Sequence, residues 1–332
     1  MEASLQSEGV ARRDVAPRRR LPYRIVGGDT AALKCMKPVS RHMVRHATAL
    51  AREIDASAVL VLADAIESDD ELGQLVESVN FRTILISRSQ DTPPIGKLSH
   101  CEWITVPDVH MTRTGQVKVA LLVSLAKGLL QHGDHVVCLT GIDGSSSIDT
   151  CLVLHLGSEP ELLSATDGVN LGGDVAPAVF ERTLTVAAQL AVEGREGRPV
   201  GAIFVVGDSD QVLAQSRLLV LNPFHGYPES ERNILDPSVE DTVKEFAAID
   251  GAFIVRGDGV VLTAGSQLLP TAPPPQLPKG LGTRHAATAA ITASTDAVGI
   301  VVSQSTGTVT VFKAGQMITD IHKPANGNRL TF

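Results

Sequence analysis

Two short clusters in the second half of the chain carry residue types suited to holding a phosphorylated ligand. Asp250, Gly251 and Ala252 stand where a helical pattern gives way to an apolar strand. A carboxylate at such a junction can point into a cleft, and a glycine beside it lets a ligand approach the main chain closely. About thirty residues further on, Gly282, Thr283, Arg284 and His285 open an alanine-rich stretch, a composition that favours helix. Thr283 is placed to cap that helix, and Gly282 leaves room beside its first amides. A helix N-terminus with an arginine and a histidine beside it suits a triphosphate. Taken singly, Asp-Gly-Ala is a turn in most proteins, and a capped helix with exposed basic residues needs no ligand. Their order and setting, taken together, give the anion site a purpose.

Both clusters depend on strands and helices to hold them. A helix is expected over Pro177 to Val192, a buried strand over Val200 to Val206 and a helix near Gln211 to Arg217. After a loop with Asn222, Pro223, Gly226 and Pro228, a helix near Val239 to Ala248 delivers Asp250. Gly257, Asp258 and Gly259 between two β-rich runs predict a hairpin. A proline-rich loop, Pro270 to Pro278, precedes Gly282. Strands at Ala297 to Val302 and Thr308 to Phe312 follow, joined by a turn containing Thr306 and Gly307.

The first half has a different rhythm. Met43, Ala47, Leu50, Ala51 and Ile54 recur at helical spacing behind Ser40, which is placed as a cap. Apolar runs at Ala58 to Leu62, Thr83 to Ile86, Val136 to Leu139 and Cys151 to Leu156 then alternate with helical patterns near Asp70 to Val79 and Val117 to Leu130. Such alternation predicts a parallel βα domain. Gly157 to Asp174 breaks both periodicities and reads as a domain boundary. The expected partition is a flexible tail over 1–34, an accessory domain over 35–160, a linker over 161–174, the site-bearing domain over 175–320 and a C-terminal tail over 321–332.

At 332 residues the chain is long enough for two cores, and 43% apolar, 20% charged and 3% aromatic residues are the balance of a soluble α/β protein. A formal net charge of −8 argues against a protein that coats nucleic acid. Cys35, Cys101, Cys138 and Cys151 show no CxxC pairing, which signals reduced thiols rather than a zinc site or a disulfide framework. Arginine-rich residues 1–20 lack the apolar core of a secretory signal. The most apolar helical stretch contains Lys118 and Lys127 and is too short to span a bilayer. A cytoplasmic protein with no membrane contact is expected.

The joint pattern of Asp250-Gly251-Ala252 and Gly282-Thr283-Arg284-His285 resembles the DGA and RHR motifs of the diadenylate cyclase domain, the catalytic unit of the DNA-integrity scanning protein and its relatives. The likeness extends over "AGSQLLP", Ala264 to Pro270, and is almost continuous from Leu281 to Val311, covering about Ala176 to Gly315. The resemblance implies an α/β domain with a central mixed sheet flanked by helices. It implies condensation of two ATP into cyclic di-AMP with release of two pyrophosphates, and dependence on Mg2+ or Mn2+. Asp250 would be the catalytic residue and metal ligand. Gly251, Ala252, Gly265, Leu268, Gly282, Thr283, Arg284, His285 and Ser303 would bind ATP, with Gly265 and Leu268 against the base. Two departures stand out: the second arginine of RHR is Ala286, and the acidic residue that some relatives place after the serine is Gln304. They leave open an alternative, a weak or inactive cyclase-like module that senses ATP or cyclic di-AMP.

In the first half, "ALAREIDASAVLVLADAIES", "RTILIS" and "HVVCLTGIDG" resemble the C-terminal domain of pyruvate kinase. Too few residues precede them for that enzyme's catalytic barrel, so an accessory role is expected. The combination resembles archaeal-type diadenylate cyclases. Only a short segment follows Lys313, so no DNA-scanning region is expected. One DGA and one GTRH element make one ATP site per chain. A two-fold symmetric product made from two ATP therefore implies self-association through face-to-face cyclase domains.

Overall fold

The computed structural model describes residues 36–323, apart from 67, 80, 89–97, 99–100, 143–144, 159–173 and 272–276. The expected N-terminal tail and nearly all of the expected linker lie outside these residues. The first unit comprises α1 (Pro38–Glu53), β1 (Ala58–Leu62), α2 (Asp69–Val79), β2 (Thr83–Ser87), β3 (Glu102–Thr105), α3 (Arg113–Ala126), β4 (His135–Thr140) and β5 (Thr150–His155). Its sheet has the order β3-β2-β1-β4-β5. Every residue of the central strand β1 is buried, which explains an unbroken apolar run where a half-exposed strand would alternate.

The expectation of a parallel sheet holds for β1 to β4 and fails at β5, which pairs antiparallel with β4. Only residues 141–149 separate those strands, and a parallel crossover needs about a dozen residues or more. Strand β3, which the sequence reading lacks, adds an edge to β2. Ser40 does not cap α1, because the helix begins at Pro38 with Lys37 at its N-cap. The Ser40 hydroxyl instead accepts a hydrogen bond from the Ile148 amide at 2.9 Å, tying α1 to the β4–β5 connection.

The second unit runs through α4 (Pro177–Glu193), β6 (Ala202–Val206), α5 (Ser209–Ala214), β7 (Ser216–Leu218), α6 (Glu240–Phe246), β8 (Ala252–Val255), β9 (Val261–Leu268), α7 (Thr283–Ser294), β10 (Val298–Val302), β11 (Val309–Lys313) and β12 (Gln316–Ile321). Its mixed sheet has the order β12-β11-β10-β6-β8-β9-β7. The pair β6 and β8 is parallel and the other neighbours are antiparallel. The helix expected near Gln211 to Arg217 stops at Ala214, and Ser216–Leu218 form the edge strand β7 instead. Strand β12 is a further addition.

This register gathers one end of every strand that bears a candidate residue. The starts of β6, β8 and β11 and the ends of β9, β10 and β12 all lie along the same edge, so Gly201, Asp250, Thr308, Leu268, Ser303 and His322 share it.

The two units pack through α3. Residues 115–124 of that helix are all buried, the sign of a helix covered on every side. It packs on β3 and β4 and also against α4 and β12. A single hydrophobic core runs from Val44 and Leu60 in the first unit to Phe204 and Ile300 in the second. Ion pairs reinforce the seam, Lys127 with Glu181 at 2.8 Å and Lys118 with Asp320 at 2.7 Å.

Candidate active site

Asp250 follows the last turn of α6, where the amides of Ala247 and Ile249 bond back to Val243 and Phe246. Its side chain is 87% exposed, and one carboxylate oxygen accepts a hydrogen bond from the Arg284 guanidinium at 3.0 Å. That contact joins the two sequence clusters across the strand ends. Gly251 adopts φ +113° and Gly265, facing it on β9, φ +71°. A β-carbon on Gly251 would stand 2.6 Å from the Gly265 carbonyl carbon. Only glycine lets the two main chains meet at this point.

Ala252 is fully buried and pairs with Ser266. Leu268 packs in a small core with Ile203, Val205, Ala252 and Ile254. These two therefore build the floor beneath Gly265. The apolar surface beside that glycine comes from Val220, whose methyl would lie 2.7 Å from a Gly265 β-carbon. Val220 belongs to an exposed run, Leu218 to Leu221, an anomaly for surface residues that the sequence reading passed over.

Gly282 is the N-cap of α7, and no side chain caps the helix. Thr283, expected as the cap, is instead the first helical residue and is exposed. The amides of the first turn have no intrahelical acceptors. Arg284 is held close to β6: a β-carbon on Gly201 would fall 2.8 Å from a guanidinium nitrogen and 3.1 Å from the Gln304 side chain. The absence of a side chain at Gly201 thus makes the space in which Arg284 lies, a dependence invisible in the sequence.

His285 points inward and is 5% exposed, edge-on to the Phe312 ring with centroids 6.2 Å apart. Burial, and then the neighbouring Arg284 charge, lower its pKa below the ordinary histidine value. His285, expected beside Arg284 in the phosphate site, is thus a neutral ring that can offer a hydrogen bond.

Gly282, Thr283, Arg284, His285 and Ser303 line a cleft of about 600 Å³ that continues past Lys279, Thr306 and Thr308 to Asp320 and His322. Asp250, Gly251, Ala252, Gly265 and Leu268 do not line it. The structure thus places the expected base-binding residues at β8 and β9 and the expected phosphate-binding residues at β10 and α7, with Arg284 between them.

Among the described residues no group of three or more His, Cys, Asp or Glu side chains could hold a metal ion. Asp250 offers one exposed carboxylate. A small hard cation such as Mg2+ takes one or two carboxylates and completes its shell with water and substrate phosphates. This donor set fits a divalent ion that arrives with a phosphorylated substrate. The described thiols, Cys101, Cys138 and Cys151, stand apart from the site. Burial pushes Cys101 up to about 11 and Cys138 up to about 12, which leaves both unreactive.

Comparison with known proteins gives two family matches. The family described as DisA bacterial checkpoint controller nucleotide-binding matches residues 189–317, and the one described as probable sensor domain DacZ_P matches residues 40–163. A diadenylate cyclase of Haloferax volcanii is 36% identical over 61% of this chain and 73% of its own length. A diadenylate cyclase of Methanocaldococcus jannaschii is 27% identical over 87% of this chain and 98% of its own length. A pyruvate kinase structure from Cryptosporidium parvum aligns at 11% identity and a TM-score of 0.27, covering 36% of this chain and 23% of that one. That likeness is too slight to bear on the fold of the first unit.

Proposed function

The chain belongs to the diadenylate cyclase family, and on that premise we propose that it condenses two ATP into cyclic di-AMP with release of two pyrophosphates. The observation that carries this reading is the Asp250–Arg284 contact, which sets an exposed carboxylate against the guanidinium at the head of the phosphate cleft. The base would lie against Gly265 and Val220. The triphosphate would then cross Arg284 toward Ser303 and the first turn of α7.

A ribose 3′-hydroxyl is a poor nucleophile, and a divalent ion, Mg2+ or Mn2+, bound with the substrate would ease its deprotonation and polarise the α-phosphate. Asp250 orients the charge around the attacking oxygen. Arg284, the Thr283 hydroxyl and the amides of α7 stabilise the charge that builds on the departing pyrophosphate. His285 contributes from its neutral state. The space beside the helix start at Gly282 is open, since a β-carbon there would meet no atom within 4 Å.

One ATP site per chain means that two chains must face each other, with the two nucleotides antiparallel. The apolar run Leu218 to Leu221, with Leu221 95% exposed, supports this arrangement because it flanks Gly265 on the open side of the site. The first unit acts as an accessory sensor that resembles the C-terminal domain of pyruvate kinase in sequence. No helix among the described residues is long and apolar enough to cross a membrane, and we place the reaction in the cytoplasm.

The test is incubation of the full chain with ATP and Mn2+, followed by chromatography for cyclic di-AMP and pyrophosphate. Asp250→Asn should keep the fold by circular dichroism and lose about two orders of magnitude in turnover, as when a main transition-state stabiliser is removed. Near-normal product from that variant would overturn the assignment.

A further inference from the structure

A sheet edge offers unpaired main-chain groups to any neighbouring strand, and proteins guard such edges with charge, shortness or cover. The two sheets present four edges, β3, β5, β7 and β12. Three of them are guarded. Strand β3 carries Glu102, paired with Arg82 at 2.8 Å, and β7 is three residues long and includes Arg217. Strand β12 carries Asp320, breaks register against β11 and is packed by α3. Strand β5 has none of these devices. Its sequence Thr-Cys-Leu-Val-Leu-His holds no carboxylate, lysine, arginine, proline or glycine. It pairs with β4 in unbroken register from Thr150 to His155, and Val153 is 40% exposed.

The hydrogen bonds on either side of β4 fix which groups β5 turns outward. The His135 carbonyl accepts from the Ser57 amide toward β1, and the Leu156 amide donates to the Asp134 carbonyl. Because alternate residues of an antiparallel pair exchange bonds, Leu152 and Leu154 pair with β4, while Cys151 and Val153 point their N–H and C=O away from the sheet. Among the described residues neither finds a main-chain partner on that side, and the His155 carbonyl, next in line, already accepts from the Ser158 amide at 3.0 Å.

An antiparallel copy of β5 fits these groups in one register. With a two-fold axis at Leu152, Cys151 exchanges both hydrogen bonds with the partner's Val153, and Val153 does the same with the partner's Cys151. Helix α1 packs on β4 and β5 and adds a second layer. Its Arg52 reaches the Val79 carbonyl at the end of α2, so the flank turned away from α2, bearing Val39, Met43, His46 and Leu50, is the one beside β5. Their 4-3-4 spacing is that of a helix-pair seam, and Val39 on it is 55% exposed. The charges of α1 are complementary end to end: Lys37, Arg41 and Arg45 mark its N-terminal half, which has no carboxylate, and Glu53 and Asp55 mark its C-terminal end. An antiparallel partner sets each cationic end against an acidic one and opposes the two helix dipoles favourably.

We propose that this flank, β5 with α1, docks a second copy of the chain and joins the two five-stranded sheets into one. A strand edge alone falls short of the about 800 Å² per partner of a stable interface, and the α1 seam widens it. The surface belongs to the first unit and is separate from the run Leu218 to Leu221, so the inference is independent of the cyclase reading. A chain with both surfaces assembles beyond a pair.

Analytical ultracentrifugation of the full chain tests this with no turnover in the readout. Val153→Lys, at a part-exposed side chain, sets like charges near the axis and should lower the assembly mass at least twofold at a fixed protein concentration. Val153→Pro removes an outward N–H that β4 does not use, and should do the same. Circular dichroism of both variants should match the wild type. Leu152→Cys should form an inter-chain disulfide under oxidised glutathione, because position 152 faces itself across the axis at about 4.5 Å between α-carbons. Unchanged mass in the folded Val153 variants would overturn the proposal. If the Cys151 and Val153 amides then resisted hydrogen exchange, another segment of this chain would be the cover, and if they exchanged freely the edge would be bare. A lowered mass without the Leu152→Cys cross-link would overturn the register.

Discussion

Asp250 and Arg284 hold each other at 3.0 Å while facing solvent, and an exposed pair of this kind contributes little to stability. Each partner can therefore be exchanged cheaply, the carboxylate for a cation and the guanidinium for a phosphate. His285, one residue on, behaves differently. Its buried ring is held neutral in the fold, whereas in the unfolded chain it takes up a proton near its ordinary value of 6.5. As pH falls below that value the unfolded state binds more protons, so the stabilising preference for the neutral ring is lost on acidification. Urea denaturation between pH 7 and 5.5 should show stability falling with pH in the wild type and a shallower slope in His285→Gln. Equal slopes would assign the dependence to another group. At this scale the site was legible where its residues are contiguous: Asp250-Gly251-Ala252 and Gly282 to His285 announce themselves. The Gly201 void and the Lys118–Asp320 pair did not, because only folding brings residues 202 positions apart into contact.

Elements that are buried on both faces were read almost to the residue, as with β1 and β4, since an unbroken apolar run has one simple explanation. The omissions share a cause. Strands β3, β7 and β12 lie at sheet edges, where half-exposed residues weaken the period of two. The antiparallel turn of β5 was missed because a short apolar run carries no direction. Helix α3 was found but its role was not, since its sequence shows that it is apolar without saying how many neighbours it serves. Leu121 within it is fully buried. Leu121→Ala should cost about 2 to 5 kcal/mol, the range for a buried leucine that leaves a cavity, measured by urea denaturation. Because the core is continuous, fluorescence of Trp103 in the first unit and circular dichroism of the whole should lose signal at the same denaturant concentration. Two separated transitions would show that the seam is weaker than its packing implies.

At the scale of the molecule, the proposed reaction, with one ATP site per chain and a two-fold product, requires chains to work in pairs. Specific activity of the full chain should fall as it is diluted through the dissociation range, and light scattering on the same samples should show loss of the dimer. Substituting Leu221→Glu in the exposed apolar run should move that fall to higher protein concentration. A strictly monomeric species with undiminished turnover would rule out the paired mechanism. The two-unit organisation was visible in the sequence as a break in rhythm near Gly157, while the contact between the units runs along the flanks of α3. That helix also limits what recombination can do with this gene. A splice within residues 159–173 would separate the two sequence patterns cleanly but would leave α4 and β12 facing a foreign helix. A first unit exchanged between such enzymes would thus have to bring a matching outer surface with it, so the two halves should be inherited together more readily than they are shuffled.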